Sequence, residues 1–311
     1  MRCALVSATL DLNAWFGEAL ARVADRVEPV TNPEPDLARE IRLALAWNPP
    51  ADAFARYPGL EAVCSIGAGV DSLLACPSLR PDIDVVRVVD PAQAQMMAGY
   101  VIWQVIGHQR GFAAYQAQQR AALWRKQRQR PPGDVPVAIL GCGAIGSRVA
   151  TDLAALGFPV LAWSRGEKAL APGLRGFHGP DGLRAMLAET EVLVNLLPLT
   201  RETHGILDRS LFAAMRRGGY LVQVGRGPHL VEDDLLWALE SGQLAGASLD
   251  VFAAEPLAAA HPFWRHPRIL ITPHDACDAS PDAIAATLAA TADALRAGHR
   301  PAHRVDRDAG Y

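Results

Sequence analysis

No apolar run in the 311-residue sequence reaches the about 18 residues that a membrane-spanning helix needs. The N-terminal MRCALVSATLDLNAWF is interrupted by Asp11 and Asn13 before an apolar core of signal-peptide length can form, so no secretion signal is read there. Cysteine is scarce: Cys3, Cys64, Cys76, Cys142 and Cys277 are odd in number, scattered, and form no CxxC pair. That argues against a disulfide framework, offers no metal site, and fits reduced thiols in a cytoplasmic protein. Neither sign of charge is in excess, with a net charge of -3 at pH 7, so neither nucleic acid nor a membrane surface is expected as a partner. The one basic run, RKQRQR at Arg125–Arg130, is short and is followed by Pro131-Pro132-Gly133. It reads as a solvated linker face. Internal repeats of short period and low-complexity segments are also missing.

What is present is an alternation of short apolar runs with helical patterns. Half of the residues are apolar, ample for a core, and the length suggests two domains. In the first hundred residues Arg2–Ser7, Leu43–Trp47, Leu60–Gly67 and Val85–Val89 read as strands, with helices over Ala14–Val23 and Ala51–Tyr57. A long helical stretch, roughly 92–124, follows Pro91, which suits a first helical turn. A second series starts at Val135: VPVAILG, FPVLAWS, VLVNLLP, YLVQVG, GASLDVF and RILITP read as six buried strands, and Asp282–Ala297 as a closing helix. Such alternation predicts parallel sheets with helical crossovers, an α/β fold.

The stretch VAILGCGAIGSRVA carries a glycine pattern in the right context. Gly141, Gly143 and Gly146, with Ala144 and Ile145 between the last two, follow a strand directly and open a helix. The first glycine permits a tight turn, the second lets a pyrophosphate approach the backbone, and the third lets helix and strand pack closely. The helix N-terminus then supplies N–H groups for phosphate. At the end of the next strand an NAD site usually places a carboxylate for the ribose hydroxyls. Here VLAWSRGEK offers Ser164, Arg165 and Lys168, with Glu167 beyond the expected place. A guanidinium suits a phosphate, so NADPH is expected over NADH, with NADH possible as a second cofactor. An ordinary surface arginine is the alternative for Arg165.

Three later segments, QVGRGPHLVEDDLLWAL, LDVFAAEPL and ITPHDACDAS, put Arg226, then Asp250 and Glu255, then His274 just after buried strands. Open α/β sheets bind ligands at those strand ends. An arginine can bind an oxo acid, a histidine can exchange a proton, and a carboxylate can orient the imidazole and favour its charged form. Singly, each residue also has an ordinary structural reading.

The segments GCGAIGSRVA, NLLPLTRETHGIL, VGRGPHLVEDDLLWALESGQLAGASLDVFAAEPL and HPRILITPH resemble the D-isomer-specific 2-hydroxyacid dehydrogenases. ALAWNPP, CSIGAGVDSLL and the C-terminal VDRDAGY resemble the glyoxylate/hydroxypyruvate reductase A branch of that family. The resemblance runs nearly end to end. It implies two Rossmann-like doubly wound domains. A discontinuous flavodoxin-like substrate domain would span 1–97 and 281–311, and an NAD(P)-binding Rossmann domain would span 98–280. It implies that Arg226 holds the substrate's carboxylate and keto oxygen, that His274 is the general acid, and that Glu255 hydrogen-bonds His274. Asp250 would meet the nicotinamide side of the cofactor, and Leu197, Pro198, Thr203 and Val224 would pass along the dinucleotide. The turn Gly67-Ala68-Gly69-Val70 would offer N–H groups to the substrate carboxylate, and Trp47 would line the substrate pocket, unless it is a plain core tryptophan. A homodimer formed through the cofactor domain is expected.

Four positions depart from the pattern. Asp275 and Asp278 follow the histidine, where a small or apolar stretch is usual; Gly225 precedes Arg226, where alanine is usual; and Gly99 stands where an acidic residue is common. These bear on substrate preference. The expected activity is NADPH-dependent reduction of small 2-oxo acids, glyoxylate to glycolate and hydroxypyruvate to D-glycerate. The alternatives are a bulkier 2-oxo acid or D-2-hydroxy acid on the same fold, or a dinucleotide-sensing interaction protein such as the C-terminal binding protein corepressors.

Overall fold

The computed structural model describes residues 1–307 and 309–310; Asp308 and Tyr311 of the C-terminal VDRDAGY lie outside the described residues. The chain runs β1 (Arg2–Ser7), α1 (Leu12–Ala21), β2 (Glu28–Val30), α2 (Pro35–Arg39), β3 (Leu43–Trp47), β4 (Ala62–Ser65), α3 (Asp71–Leu74) and β5 (Asp84–Val86). It continues through α4 (Pro91–Arg110), α5 (Phe112–Arg120), β6 (Val137–Leu140), α6 (Ala144–Ala155), β7 (Val160–Ser164), β8 (Arg175–His178), α7 (Gly179–Glu189) and β9 (Val192–Asn195). Then come α8 (Arg209–Ala214), β10 (Gly219–Gln223), α9 (Glu232–Glu240), β11 (Leu244–Leu249), β12 (Ile269–Ile271) and α10 (Pro281–Arg296). Two compact units result, Met1–Ala92 with Asp278–Tyr311, and Gln93–Cys277. No helix among the described residues is long and apolar enough to cross a membrane.

The first unit holds a five-stranded parallel sheet in the order β2-β1-β3-β4-β5, the flavodoxin-like arrangement. The second holds a seven-stranded parallel sheet in the order β12-β11-β10-β9-β6-β7-β8. Counted from β6, that is the Rossmann order with one strand added. Both sheets are buried on two faces at their centres, so the central strands are continuous apolar runs, and the period of two survives only as a sorting of side chains. In β1, β3 and β4, Cys3, Leu43, Leu45, Ala62 and Cys64 face a layer that includes α1 and α10. Ala4, Ala44, Ala46 and Val63 face the opposite layer, where Phe54, Tyr57 and Leu73 pack. In the second unit Val137, Ile139, Val192 and Val194 face one core with α4 and α6, while Ala138, Leu140 and Leu193 face the other with α8 and α9.

Local chemistry sets the element ends. Asp11 accepts the N–H groups of Asn13 and Ala14 and so caps α1. Ser280 caps α10, with Pro281 in its first turn. The expected helix over Ala51–Tyr57 is instead a run of turns. It is confined between Pro49-Pro50 and Pro58, too short to offset the cost of helix nucleation. Ser78 Oγ accepts the N–H of Phe54, whose ring is fully buried. The stretch expected as one long helix breaks at Gly111, at φ 69°, into α4 and α5. Strand β5 ends at Val86 because the next N–H groups leave the sheet: Arg87 donates to His303 O and Val88 to Gly67 O. Two edge strands, β2 and β8, carry no apolar alternation and are largely solvent-facing, so no pattern in the sequence marked them.

The basic run is not wholly a solvated face. Arg130 grips Glu191 with two guanidinium N–H groups at 2.7 Å each and donates to Asp134 O, while His108 Nε2 meets the same carboxylate at 3.0 Å. This ties the segment entering β6 to the one entering β9. Burial pushes the Glu191 carboxyl up, but the bonds from His108 and Arg130 outweigh it and hold it at about 2, against the ordinary 4.5. Since the folded value is the lower one, the contact stabilises the fold above about pH 4.5, and that contribution disappears as pH falls towards 2. Glu191→Gln is therefore expected to flatten the acid limb of stability. Urea unfolding at several pH values checks this, and a slope equal to wild type below pH 4.5 would show that the pair adds nothing.

Candidate active site

The glycine loop joins β6 to α6 beside β9, where the strand order of the second sheet reverses and open α/β sheets bind ligands. Gly141 has φ 94°, and a Cβ there would lie 2.8 Å from Leu196 O. A Cβ at Gly146 would fall 1.9 Å from Gly141 O, so helix and loop touch at backbone distance. A Cβ at Gly143 would enter open space, the room that a pyrophosphate needs against the backbone. Ala144 and Ile145 begin α6. At the end of β7, Ser164 Oγ donates to Gly166 O, and Lys168 Nζ donates to Cys142 O at 2.6 Å. That brings a positive charge onto the glycine loop from the end of the second strand. Arg165 is exposed beside it. The Cys142 thiol is pushed up to about 11 by burial, with the Lys168 charge acting against it, so it stays protonated. These residues fit a dinucleotide with an extra phosphate.

Arg226, Asp250 and His274 follow β10, β11 and β12, three neighbouring strands, and Glu255 lies five residues beyond Asp250. Glu255 Oε2 meets His274 Nδ1 at 2.8 Å, and its Oε1 accepts the N–H of Phe252 at 2.9 Å. Burial pushes the Glu255 carboxyl up. The bonds from His274 and Phe252, with the charges of His274 and Arg226, reverse this and leave it below the usual carboxylate value. An ionised Glu255 therefore accepts a hydrogen bond from Nδ1 and fixes the imidazole so that proton exchange falls to Nε2. Arg226 Nη1 donates to Gly225 O at 2.8 Å. A Cβ at Gly227 would overlap the backbone of Phe252, so only glycine lets the Arg226 turn lie against the chain leading to Glu255.

Asp250 is 2% exposed and spends its carboxylate on the His274 loop. Oδ1 accepts Thr272 Oγ1 at 2.6 Å and the Asp275 N–H at 2.9 Å, and Oδ2 accepts the Ala276 N–H at 3.1 Å. Its backbone carbonyl takes the His274 N–H at 2.7 Å. His274 has φ 57°, a left-handed conformation that costs a non-glycine residue about 1–2 kcal/mol. These bonds around Asp250 hold it there.

Leu197 and Val224 are buried at the ends of β9 and β10, and Thr203 Oγ1 donates to Pro198 O at 2.8 Å. In the first unit, Trp47 ends β3, half-buried against the leucine-bearing face. The turn Gly67-Ala68-Gly69-Val70 follows β4, shaped by Ser65 Oγ, which donates to Gly69 O and accepts the Gly67 N–H. Asp275 and Asp278 are exposed, and Gly99 has open space where a side chain would go.

Comparison with known proteins supplies the family. The sequence model described as "D-isomer specific 2-hydroxyacid dehydrogenase, NAD binding domain" matches residues 102–276. The chain belongs to the D-isomer-specific 2-hydroxyacid dehydrogenase family. It is 44% identical to glyoxylate/hydroxypyruvate reductase A of Serratia proteamaculans over 283 residues, covering 89% of this chain and 90% of that protein. Among solved structures, a family member from Xanthobacter autotrophicus Py2 in complex with NADPH and MES superposes with a TM-score of 0.93 at 36% identity, covering 100% and 99% of the two chains. The NADPH-dependent glyoxylate/hydroxypyruvate reductase of Sinorhizobium meliloti, in complex with NADP and sulfate, gives 0.91 at 36% identity with the same coverage.

In this dehydrogenase several polar residues at the site escaped the sequence reading. Asn195, Gln223 and His229 are fully buried under the turns after β9 and β10, and Thr272, with Tyr100 OH 2.7 Å from its hydroxyl, braces Asp250. The available signal was a neutral polar residue ending an apolar run, as in VLVN and GYLVQ. Asp250→Asn replaces an acceptor among three donors by an amide, leaving one buried N–H without a partner. It is expected to lower unfolding stability by about 1–3 kcal/mol and to depress turnover. Chemical denaturation with parallel assays checks this, and wild-type stability would show that the carboxylate does not hold the loop.

Proposed function

We propose that this protein is an NADPH-dependent reductase of small 2-oxo acids, converting glyoxylate to glycolate and hydroxypyruvate to D-glycerate. The observation that carries the reading is the Glu255–His274 pair beside Arg226 at the ends of adjacent strands, on a chain whose relatives bear that activity in their names. Bound NADPH supplies a hydride to the carbonyl carbon. Arg226 binds the substrate's carboxylate and keto oxygen and stabilises charge developing on that oxygen. His274 delivers a proton from Nε2 to the oxygen, and Glu255 holds the ring through Nδ1. The turn Gly67–Val70 and Trp47 are assigned to the substrate. Gly141, Gly143, Ala144, Ile145 and Gly146 are assigned to the pyrophosphate, and Ser164, Arg165 and Lys168 to the 2′-phosphate. Leu197, Pro198, Thr203 and Val224 are assigned to the rest of the dinucleotide. Asp250 is assigned to the nicotinamide side, through the loop it holds.

The reading extends to a cytoplasmic homodimer. Five free thiols support the compartment. Helix α5 buries no residue, and Trp124 is 96% exposed with Leu123 and Trp103 half-exposed, which supports a second copy as the cover.

The decisive assay is oxidation of NADPH, and separately NADH, with glyoxylate, hydroxypyruvate and pyruvate. Turnover of the first two with NADPH preferred is expected, and inactivity on all three would overturn the reading. His274→Ala should cut turnover at least about 100-fold while NADPH binding stays near wild type. Arg165→Ala should weaken NADPH about tenfold or more and leave NADH nearly unchanged. Equal losses would mean that the 2′-phosphate is read elsewhere. Sedimentation should give a dimer that Trp124→Ala weakens; a wild-type monomer would exclude the assembly. Activity recovered only outside the cytoplasmic fraction would exclude the compartment.

A further inference from the structure

Beneath the turns that follow β9 and β10, on one side of the glycine loop, lies a buried knot of neutral polar side chains. Asn195 and Gln223 end β9 and β10 as register partners, and the Asn195 amide donates to Gln223 Oε1 at 2.7 Å. Asn195 Oδ1 accepts the Leu197 N–H, fixing the first turn. Gln223 Oε1 also accepts the Gly225 N–H, and its amide donates to Arg226 O, fixing the second. His229 joins the two. Its Nδ1 accepts the Arg226 N–H at 3.0 Å and faces the Asn195 amide at 2.9 Å, while Nε2 lies 3.2 Å from Pro198 O. With two donors at Nδ1 and a carbonyl at Nε2, the ring carries its single N–H on Nε2. All three side chains are fully buried, so each bond is made against an apolar background in which an unpaired group is costly.

We infer that His229 is a positioning residue that sets two binding turns at once: through Nδ1 it places the backbone of Arg226, and through Nε2–H it places the carbonyl of Pro198. This rests on the reductase reading, in which Arg226 takes the oxo acid and Pro198 lines the dinucleotide. Gly225 belongs to the same device. A Cβ there would sit 2.8 Å from Asn195 Nδ2 and 2.9 Å from His229 Nδ1, so the alanine usual at this position would push the knot from the geometry it has here. One buried ring therefore couples the geometry of oxo-acid binding to that of cofactor binding, without touching either ligand.

The two halves of the imidazole can be replaced separately. In His229→Gln the side-chain amide can still donate near the Nε2 position but offers nothing at Nδ1. In His229→Asn an amide oxygen can accept at Nδ1, but the donor to Pro198 is lost. His229→Gln is expected to raise the glyoxylate KM about tenfold or more, with the NADPH Kd, read by fluorescence titration, within about twofold. His229→Asn should give the reverse split. Gly225→Ala keeps the ring and crowds it, so it reports even if a His229 variant misfolds; it should raise KM with kcat near wild type. Parallel losses in both constants for both His229 variants, or no change in either, would overturn the inference, as would an unmoved KM in Gly225→Ala. A wild-type enzyme inactive on every oxo acid overturns the reductase reading instead. The NADPH affinities of the two His229 variants then still decide the Pro198 half, and equal affinities overturn it.

Discussion

The carboxylate of Asp250 is the interaction on which the arrangement around His274 depends. A parallel sheet delivers its functional side chains to the carboxyl ends of its strands, where the backbone leaves the ladder and its N–H groups need new partners. After β12 those partners are supplied by one side chain from the neighbouring strand, together with its own carbonyl. The result is a histidine in a left-handed backbone conformation that it would not adopt unaided. Tyr100 and Thr272 then brace the carboxylate from behind. The placement of His274 therefore rests on a group whose hydrogen bonds are directed into the protein.

The same logic recurs one and two strands away, with neutral groups in place of a charge. Asn195, Gln223 and His229 satisfy the backbone of two turns, and being uncharged they avoid the desolvation penalty that a buried ion would carry. The dehydrogenase thus separates its polar residues by depth. The candidate ligand-handling groups, Arg226, Glu255, His274 and Lys168, lie past the strand ends with access to solvent. Amides and the second histidine lie beneath and shape the loops.

How much of this could be read in advance follows from what each signal requires. Continuous apolar runs with glycine or proline at their ends located most of the central strands, because a doubly covered parallel strand has no polar face. The glycine loop was legible since its three positions have three different backbone reasons. Arg226, Glu255 and His274 stood out because charged residues just past buried strands are conspicuous. Edge strands β2 and β8 were not legible, since their pairing rests on backbone alone. The break at Gly111 was missed because one glycine within a helical pattern is a weak sign, and only its positive φ makes it a boundary. Asn195 and Gln223 were passed over because their one sign, a neutral amide ending an apolar run, is far less conspicuous than a charge, and His229 lay beyond any such run.

The two faces of the first sheet have one further consequence. Leu43 and Leu45 face the core shared with Phe16 and Leu20 of α1 and Ala285, Leu288 and Ala289 of α10, whereas Ala44 and Ala46 face the one that holds Phe54 and Tyr57. Strand β3 thus turns its large side chains to one layer and its small ones to the other. Both layers leave little spare room, because interiors are filled to near-crystalline density. An enlargement on the sheet is then tolerated only with a reduction in the facing element, and the reverse.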